Sequence, residues 1–321
     1  MYHALPCDTA GEHALATIKN WIRECVIEHE ECDDGSLRLL PKRILEIEGD
    51  KLLLREDRTE PAHYACLSHC WGANGPQQRL THGSYEIHKE GLIIEILPPT
   101  FYDAVQLCKR LHLRYIWIDA LCIVQDDFED WNETAGLMAE IYSNAYITIG
   151  ASGAMDCTRG LYTKLPMRPK ELGNAPGLFV MPLSRPHDDF GTLPLPLLTR
   201  AWVFQEHVVS PRFLHFGPGF LLWKCRNTQC TETGDVSSQG WAPFFYNLLN
   251  NQFPEIASQA LKILDKVHSW HRIIEGYSNL KLTYDTDRLA AISAVVYRHM
   301  KNRAGDRYIA GMWENSLLPD L

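Results

Sequence analysis

Residues 115–127 read Tyr-Ile-Trp-Ile-Asp-Ala-Leu-Cys-Ile-Val-Gln-Asp-Asp, an apolar run that leads into a polar turn. The first four residues have the length of a buried strand in a parallel sheet and are too few for a helix. The run stops at Asp119, and Gln125 and Asp126 follow in the turn. Because open α/β sheets bind ligands at the carboxyl ends of their strands, these three residues are candidate ligand contacts. The alternative is that Asp119 and Asp126 only cap the next helix.

Strands and helices alternate around this run. The predicted elements are strands over residues 64–68 and 145–149 and helices over residues 100–111 and 128–142. Thr100 and Asp103 predict a capping box at the start of the first helix. Glu140, on the second helix, either points into the crevice at the strand ends or faces solvent. This β-α-β-α-β succession predicts a doubly wound, mostly parallel α/β sheet with right-handed crossovers.

The segments outside this core predict added β-hairpins and a helical C-terminal part. They are a helix over residues 12–31, a hairpin over 43–54, an irregular insertion over 151–198, a helix over 199–208, a hairpin over 212–225 and helices over 256–270 and 287–297. These helices are predicted from apolar residues at helical spacing. We therefore expect an N-terminal lead-in over residues 1–60, an α/β domain over 61–225 and a mostly helical extension over 226–321.

The composition argues against several classes of function. The chain has 321 residues, with Lys+Arg 31 against Asp+Glu 40 and a net charge of −9. This acidic balance supplies no basic field for nucleic acid or an anionic membrane surface. No apolar run reaches the ~18 residues of a membrane span, and the first residues lack a signal-peptide pattern. We expect a cytoplasmic protein whose ten cysteines are thiols, core residues or metal ligands, and whose full-length form continues beyond Leu321.

A second polar group follows the strand that ends at Ser68, where the sequence continues His-Cys-Trp-Gly. Ser68 and His69 offer a hydroxyl and an imidazole to a ligand, and Gly72 lets a backbone approach closely. Trp71 is either a packing residue or a stacking platform. No G-x-S-x-G elbow is present, which argues against a nucleophilic hydrolase. We expect this group to lie close to residues 119–126, because both follow parallel strands.

Residues 200–206 read Arg-Ala-Trp-Val-Phe-Gln-Glu. On a helix, Trp202 and Glu206 lie one turn apart on the same face. An aromatic ring beside a carboxylate can hold a substrate ring and stabilise positive charge that forms at a sugar carbon, as glycoside cleavage requires. The alternative, which an isolated W-x-x-x-E favours, is a core Trp202 and a surface Glu206 paired to Arg200.

Cys25, His29 and Cys32 bring three metal-ligating side chains to the end of the first helix. Zinc takes four ligands in structural sites, and no neighbour in sequence supplies the fourth. Cys225 or Cys230 could complete such a site from a distance. The missing ligand favours buried thiols and a hydrogen-bonded histidine, with zinc as the alternative.

Taken in order, these blocks resemble the fungal heterokaryon-incompatibility (HET) domain. The blocks are Leu67 to Gly72, Leu97-Pro98 with Asp103-Ala104, Trp117 to Asp127, Trp131 with Glu133, Met138 with Ile141-Tyr142, Ala145 to Ala151, Gly160-Leu161 and Arg200 to Glu206. The resemblance covers residues 64–206, and Tyr284 to Ala291 and Tyr308 to Trp313 are similar to the continuation in such proteins. The family usually has Tyr where this chain has His69.

The HET domain is in turn similar to the TIR domain, a flavodoxin-like sheet whose enzymatic members cleave NAD at the nicotinamide–ribose bond. The resemblance implies a TIR-like fold and NAD+ as substrate, with Glu206 in the catalytic role and Trp202 holding or shielding it. The residues implied in binding are Ser68, His69, Trp71, Gly72, Asp119, Gln125, Asp126, Glu140 and Arg200. The resemblance also implies self-association, an unknown protein trigger and a role in incompatibility, programmed cell death and innate immunity.

Fold alone does not fix function, and two alternatives stay open. The first is a non-catalytic TIR-like module that signals by self-association, which exposed apolar surface on the helices and a closed crevice would favour. The second is an enzyme of secondary metabolism that uses His69 and Asp119 as general acid and base on another substrate.

Overall fold

The chain forms two compact units in a computed structural model. The structure describes residues 8–30, 32, 35–164, 170–171, 179–180, 195–232, 234–235, 270–271, 273–300, 303 and 305–317. The first unit comprises Met1–Leu197 and Ser210–Val236, and the second comprises Leu198–Val209 and Ser237–Leu321. This division differs from the predicted boundaries at residues 60 and 225, because the N-terminal hairpin joins the main sheet and residues 198–209 join the second unit.

A mixed β-sheet forms the centre of the first unit. The strands of this unit are β1 (Arg43–Glu48), β2 (Lys51–Glu56), β3 (Tyr64–Ser68), β4 (Leu92–Ile93), β5 (Tyr115–Ile118), β6 (Ile147–Gly150), β7 (Lys170–Glu171), β8 (Phe179–Val180), β9 (Arg212–Gly217), β10 (Phe220–Cys225), β11 (Gln229–Thr231) and β12 (Gly234–Asp235). Among the described residues the order across the main sheet is β12-β11-β10-β9-β6-β3-β5-β1-β2-β4, while β7 and β8 pair separately. The α/β class is confirmed, but among the described strands of this sheet only the neighbours β9 and β6, β6 and β3, and β3 and β5 pair in parallel.

The parallel centre follows from the apolar composition of its strands. Every residue of β3, β5 and β6 is buried, as expected for strands covered on both faces. In the register, Leu67 pairs with Ile118 and Ser68 pairs with Gly150. The carboxyl ends of the three strands therefore meet at one edge of the sheet.

Five helices of the first unit lie in the described residues. They are α1 (Glu12–Glu28), α2 (Tyr85–Glu90), α3 (Pro99–Arg110), α4 (Asp119–Cys122) and α5 (Phe128–Asn144). Asp127 caps α5, since its carboxylate accepts hydrogen bonds from the backbone N–H groups of Glu129 and Asp130. No described helix is long and apolar enough to cross a membrane.

The start of α3 corrects the predicted capping box. The helix begins at Pro99, and no side chain caps it. Proline suits this position because its φ is preset and it has no N–H group that needs a partner. The Asp103 carboxylate instead accepts a hydrogen bond of 2.8 Å from the backbone N–H of Leu161. Asp103 therefore fixes a distant loop rather than its own helix.

The second unit contains α6 (Ala201–Val209), α7 (Ser293–Met300) and a hairpin of β13 (Tyr308–Ile309) and β14 (Met312–Trp313). Its core includes Phe204, Trp270, Tyr277, Val295 and Trp313. The helix predicted over residues 287–297 is two short 3-10 turns followed by α7. Most of the helix predicted over residues 256–270 lies outside the described residues.

Gly150 is expected to be intolerant of a side chain. A Cβ at this position would lie 2.4 Å from Cε1 of Phe213 and 3.1 Å from its Cζ, so the ring would have to move. We expect Gly150→Ala to lower the free energy of unfolding by about 1–3 kcal/mol, measured by urea denaturation. Gly136→Ala is the matched control, because this glycine lies in α5 with nothing within 4 Å of its added Cβ. The control should gain about 0.5–1 kcal/mol, and equal stability changes in both variants would contradict the steric argument.

Candidate functional site

The polar residues that follow β3 and β5 lie together at the carboxyl edge of the parallel strands. The indole Nε1 of Trp71 donates a hydrogen bond of 2.9 Å to Oδ2 of Asp119. Oδ1 of Asp119 accepts one of 2.6 Å from the N–H of Ala120 and lies 3.6 Å from Nδ1 of His69. The predicted proximity of the two strand ends is therefore confirmed. We call His69, Trp71 and Asp119 the Asp119 cluster.

The Asp119 cluster combines a buried base with a carboxylate that solvent can reach. The side chain of His69 is 1% exposed and that of Asp119 is 26% exposed. Phe101 packs against the His69 imidazole in an edge-on contact, with 4.9 Å between ring centroids. Ser68 is also buried. A ligand that enters from solvent would therefore meet the carboxylate first, and the imidazole lies behind it.

Gly72 permits a close approach between two loops of this edge. Its φ is +74°, in the left-handed region that favours glycine, and an added Cβ would lie 2.6 Å from Cβ of Asp156. Asp156 follows β6, and its carboxylate accepts hydrogen bonds from Thr158. The glycine predicted as a ligand contact therefore holds the loop after β3 against the loop after β6.

Gln125 and Asp126 stabilise the turn after β5. The side-chain amide of Gln125 donates to the carbonyl groups of Asp119 and Ile123 at 3.1 and 3.0 Å. Asp126 is exposed, and its carboxylate accepts a hydrogen bond of 2.9 Å from the N–H of His82. Asp127, rather than Asp119 or Asp126, caps α5, while the Asp119 carboxylate accepts the N–H of Ala120 in the first turn of α4.

Glu140 is placed apart from the Asp119 cluster. It is exposed on α5 and lines a groove of about 300 Å³ together with Tyr64, Trp117 and Lys42. Tyr64 is the first residue of β3, at the opposite end of the strand from Ser68. Of the two orientations considered from the sequence, the solvent-facing one is observed.

A buried pair at the same carboxyl edge was not apparent in the sequence. The hydroxyl of Ser152, just after β6, lies 2.8 Å from Nδ1 of His215 in β9. Both residues are fully buried. Burial, with a smaller contribution from the charge of Lys224, lowers the pKa of His215 to about 3. The only signal for this pair was the position of each residue in or after a strand of the parallel centre.

The buried histidine is expected to make the fold sensitive to acid. Its folded-state pKa of about 3 lies below the ordinary 6.5, so the unfolded chain binds a proton first as the pH falls. Stability from this group is present above pH 6.5 and is lost towards pH 3. Relative to His215→Asn, the parent chain should lose about 2–3 kcal/mol more between pH 7 and pH 4, measured by urea denaturation at each pH. Equal losses in both proteins would contradict this assignment.

The residues predicted to carry catalysis lie on α6, in the second unit. Glu206 is 6% exposed, so the alternative of a surface carboxylate is wrong. Trp202, one turn earlier, donates its indole N–H to Oδ2 of Asp287 at 3.2 Å. Arg200 precedes the helix, and its backbone pairs with that of Lys281 in a single parallel β-bridge. The W-x-x-x-E spacing on a helix is thus observed, and its carboxylate is buried.

The candidate metal ligands come together with a fourth residue. Cys25, His29, Cys32 and Cys225 have their ligand atoms within 4.8 Å of one another, whereas Cys230 is not among them. Hydrogen bonds from Cys25 and Cys32 lower the pKa of the Cys225 thiol. The corresponding hydrogen bonds with Cys225 and Cys32, together with burial, raise the pKa of Cys25.

Residues 64–206 match the family described as heterokaryon incompatibility protein (HET). This region therefore resembles a HET domain. The match begins at the first residue of β3, includes the Asp119 cluster and ends at Glu206 within α6, so it covers less than half of the chain. No curated protein and no solved structure matches the chain. The description of the matched family links it to heterokaryon incompatibility.

Proposed function

We propose that this HET-domain protein cleaves NAD+ at the nicotinamide–ribose bond and that Glu206 is the catalytic carboxylate. The observation that carries the proposal is the burial of Glu206, which is 6% exposed on α6 one turn after Trp202. Carboxylates are seldom fully buried in proteins, and ionisable groups in perturbed surroundings are concentrated at functional sites. Glu206 is also the last residue of the HET match, so this carboxylate belongs to the matched region.

The proposed reaction needs a negative charge near the sugar and little other assistance. The bond between ribose C1′ and the pyridinium nitrogen breaks, and both electrons go to the nitrogen, so nicotinamide leaves as a neutral molecule. Positive charge forms on the ribose, where a preorganised carboxylate stabilises it. Water then adds to C1′ and releases a proton, which leaves ADP-ribose as the second product.

Trp202 is proposed to position the catalytic carboxylate or to shield it from water. Its indole N–H is held by Asp287 at 3.2 Å, which fixes the orientation of the ring. Trp202 and Glu206 lie at i and i+4 on α6, a spacing that allows contact on one helix face. We assign Trp202 a positioning role because no reacting atom requires its indole.

Nucleotide binding is proposed for the Asp119 cluster on its own chemistry. Carboxylate oxygens accept hydrogen bonds from the hydroxyl groups of a nucleotide, and the side chain of Asp119 is 26% exposed. Its orientation is fixed by the N–H groups of Trp71 and Ala120. His69 is buried beside it, with Nδ1 3.6 Å from Oδ1 of Asp119.

The proposal is tested by the release of nicotinamide from NAD+ by the purified chain. The assay should cover a wide range of protein concentration, because such domains often need to associate before they are active. We expect nicotinamide and ADP-ribose in equal amounts, separated by chromatography. If NAD+ is not consumed at any concentration, including those at which the chain associates, the proposed activity is wrong.

A second candidate function is self-association through an exposed apolar edge. Ile87 on α2, Ile93 on β4 and Ile96 just after it are 58%, 47% and 62% exposed. Among the described strands β4 is at the end of the sheet, where unpaired backbone groups can accept another strand. Ile93→Lys should abolish association in light scattering if this edge is the interface. Unchanged association would exclude it.

A further inference from the structure

We propose that Cys25, His29, Cys32 and Cys225 bind a zinc ion that ties the end of α1 to the end of β10. This site is independent of the proposed NAD+ cleavage, because none of its residues has a part in that reaction. Its role is structural, since all four positions of a tetrahedral zinc ion would be filled by protein ligands. The sequence alone brings three of these residues together, and the fold adds the fourth.

The distances between the ligand atoms fit a tetrahedral zinc site. Nδ1 of His29 lies 3.4 Å from Sγ of Cys225 and 3.8 Å from Sγ of Cys32. All four ligand atoms lie within 4.8 Å of one another. With Zn–S bonds of ~2.3 Å and a Zn–N bond of ~2.0 Å, ligand atoms in a tetrahedron are about 3.5–3.8 Å apart. The four side chains therefore need to move little to surround one ion.

The fold explains why these residues meet although His29 and Cys225 are 196 positions apart. Trp21 and Cys25 are four residues apart on one face of α1, and Trp223 and Cys225 are two residues apart on one face of β10. The rings of Trp21 and Trp223 stack with 6.1 Å between centroids. The same crossing of helix and strand that stacks the tryptophans brings the two cysteines together.

Contacts around the cluster suit metal-bound thiolates. The N–H of Thr228 donates a hydrogen bond of 3.3 Å to Sγ of Cys225, within a turn closed by the 2.9 Å bond from the Cys225 N–H to the Thr228 carbonyl. Such hydrogen bonds orient a ligand sulfur and stabilise its charge. Three thiolates and one neutral histidine around Zn²⁺ carry a net charge of −1. The positive charge of the buried Arg212 guanidinium favours the thiolate form of Cys25.

The chemistry of the ligand set selects zinc over the alternatives. A tetrahedral set of three sulfurs and one imidazole nitrogen is a usual structural zinc site. A disulfide would use two of the three sulfurs and leave the third beside the histidine, and all three cysteines are free thiols. Cys25 and Cys225 are buried, while His29 and Cys32 are half-buried and leave a route by which the ion enters.

The test is the metal content of the whole chain purified without chelators, measured by inductively coupled plasma mass spectrometry. We expect about one zinc ion per chain. Cys225→Ser and Cys32→Ser should lose most of it. Cys230→Ser is the matched control, because Cys230 is a buried cysteine on the strand next to β10 and lies outside the ligand group. The control should keep the parent's zinc content.

A spectroscopic measurement separates loss of metal from loss of fold. The parent chain reconstituted with Co²⁺ should show the thiolate-to-cobalt absorption and the strong visible bands of a tetrahedral site. Cys32→Ser, at a half-buried position, should weaken the thiolate band while circular dichroism stays unchanged. The proposal is overturned if the parent chain binds neither zinc nor Co²⁺, if another metal is present in stoichiometric amount, or if Cys230→Ser loses as much metal as Cys225→Ser.

Discussion

Glu206→Gln is expected to lower the rate of nicotinamide release from NAD+ by about 10²–10³-fold, a usual loss when one preorganised electrostatic contact to a transition state is removed. Glutamine has nearly the same shape as glutamate, so the packing of α6 should be retained. It lacks the negative charge that stabilises the ribose cation. Because Glu206 is 6% exposed, a neutral side chain should not reduce stability, and the melting temperature should stay within a few degrees of the parent value.

Glu232→Gln is the matched control for this variant. Glu232 is a half-buried carboxylate located just after β11, and desolvation raises its pKa to about 7. Neutralising it should leave nicotinamide release unchanged. Trp202→Phe keeps an aromatic ring but removes the hydrogen bond to Asp287, and we expect a smaller loss than for Glu206→Gln. Full activity in Glu206→Gln, with the parent chain active, would remove this residue from the mechanism.

Arg43→Met is expected to lower the free energy of unfolding by about 3–5 kcal/mol, the cost of breaking a buried ion pair. The guanidinium donates to both carboxylate oxygens of Asp130, and Nε donates to the carbonyl of Cys122 at 2.6 Å. The two charged side chains are 7% and 10% exposed. Without Arg43, the Asp130 carboxylate stays buried, and its Oδ2 keeps the hydrogen bond of 2.9 Å from the N–H of Val124.

Lys42→Met provides the control from the neighbouring residue. Lys42 pairs with Glu133 on the same helix α5 at 2.8 Å, but both side chains are about half exposed, at 46% and 55%. An exposed pair contributes about 0.2–1 kcal/mol, so this variant should remain close to the parent. Both variants are compared by urea denaturation at neutral pH. If Arg43→Met costs no more than Lys42→Met, burial does not govern the strength of the pair.

The parallel centre of the sheet could be predicted because the local sequence of its strands is enough to identify them. The apolar runs of β3 and β5 are bounded by polar residues, and both strands have the predicted limits. The place of the hairpin of β1 and β2 could not be predicted in the same way. Alternating apolar residues indicate that a strand exists, but they do not identify its neighbour, which here is β5 in antiparallel orientation.

The candidate sites show the same difference between features set by local sequence and features set by long-range strand pairing. The contact between Trp71 and Asp119 follows from the rule that ends of parallel strands share an edge. The pair of Ser152 and His215 depends on β9 lying next to β6, which the sequence does not specify. Pairings between distant segments arise from packing of the whole unit, and the spacing of residues along the chain contains little trace of them.

The stacking of Trp21 on Trp223 has a consequence for synthesis of the chain. At about 5–20 residues per second, a ribosome needs roughly 10–40 s after Trp21 before Trp223 is made. During that interval the apolar face of α1, which includes Ala14 and Ile18, has no β10 to cover it. Although α1 is synthesised well before β10, it is thus among the last described elements of its unit to complete its native packing.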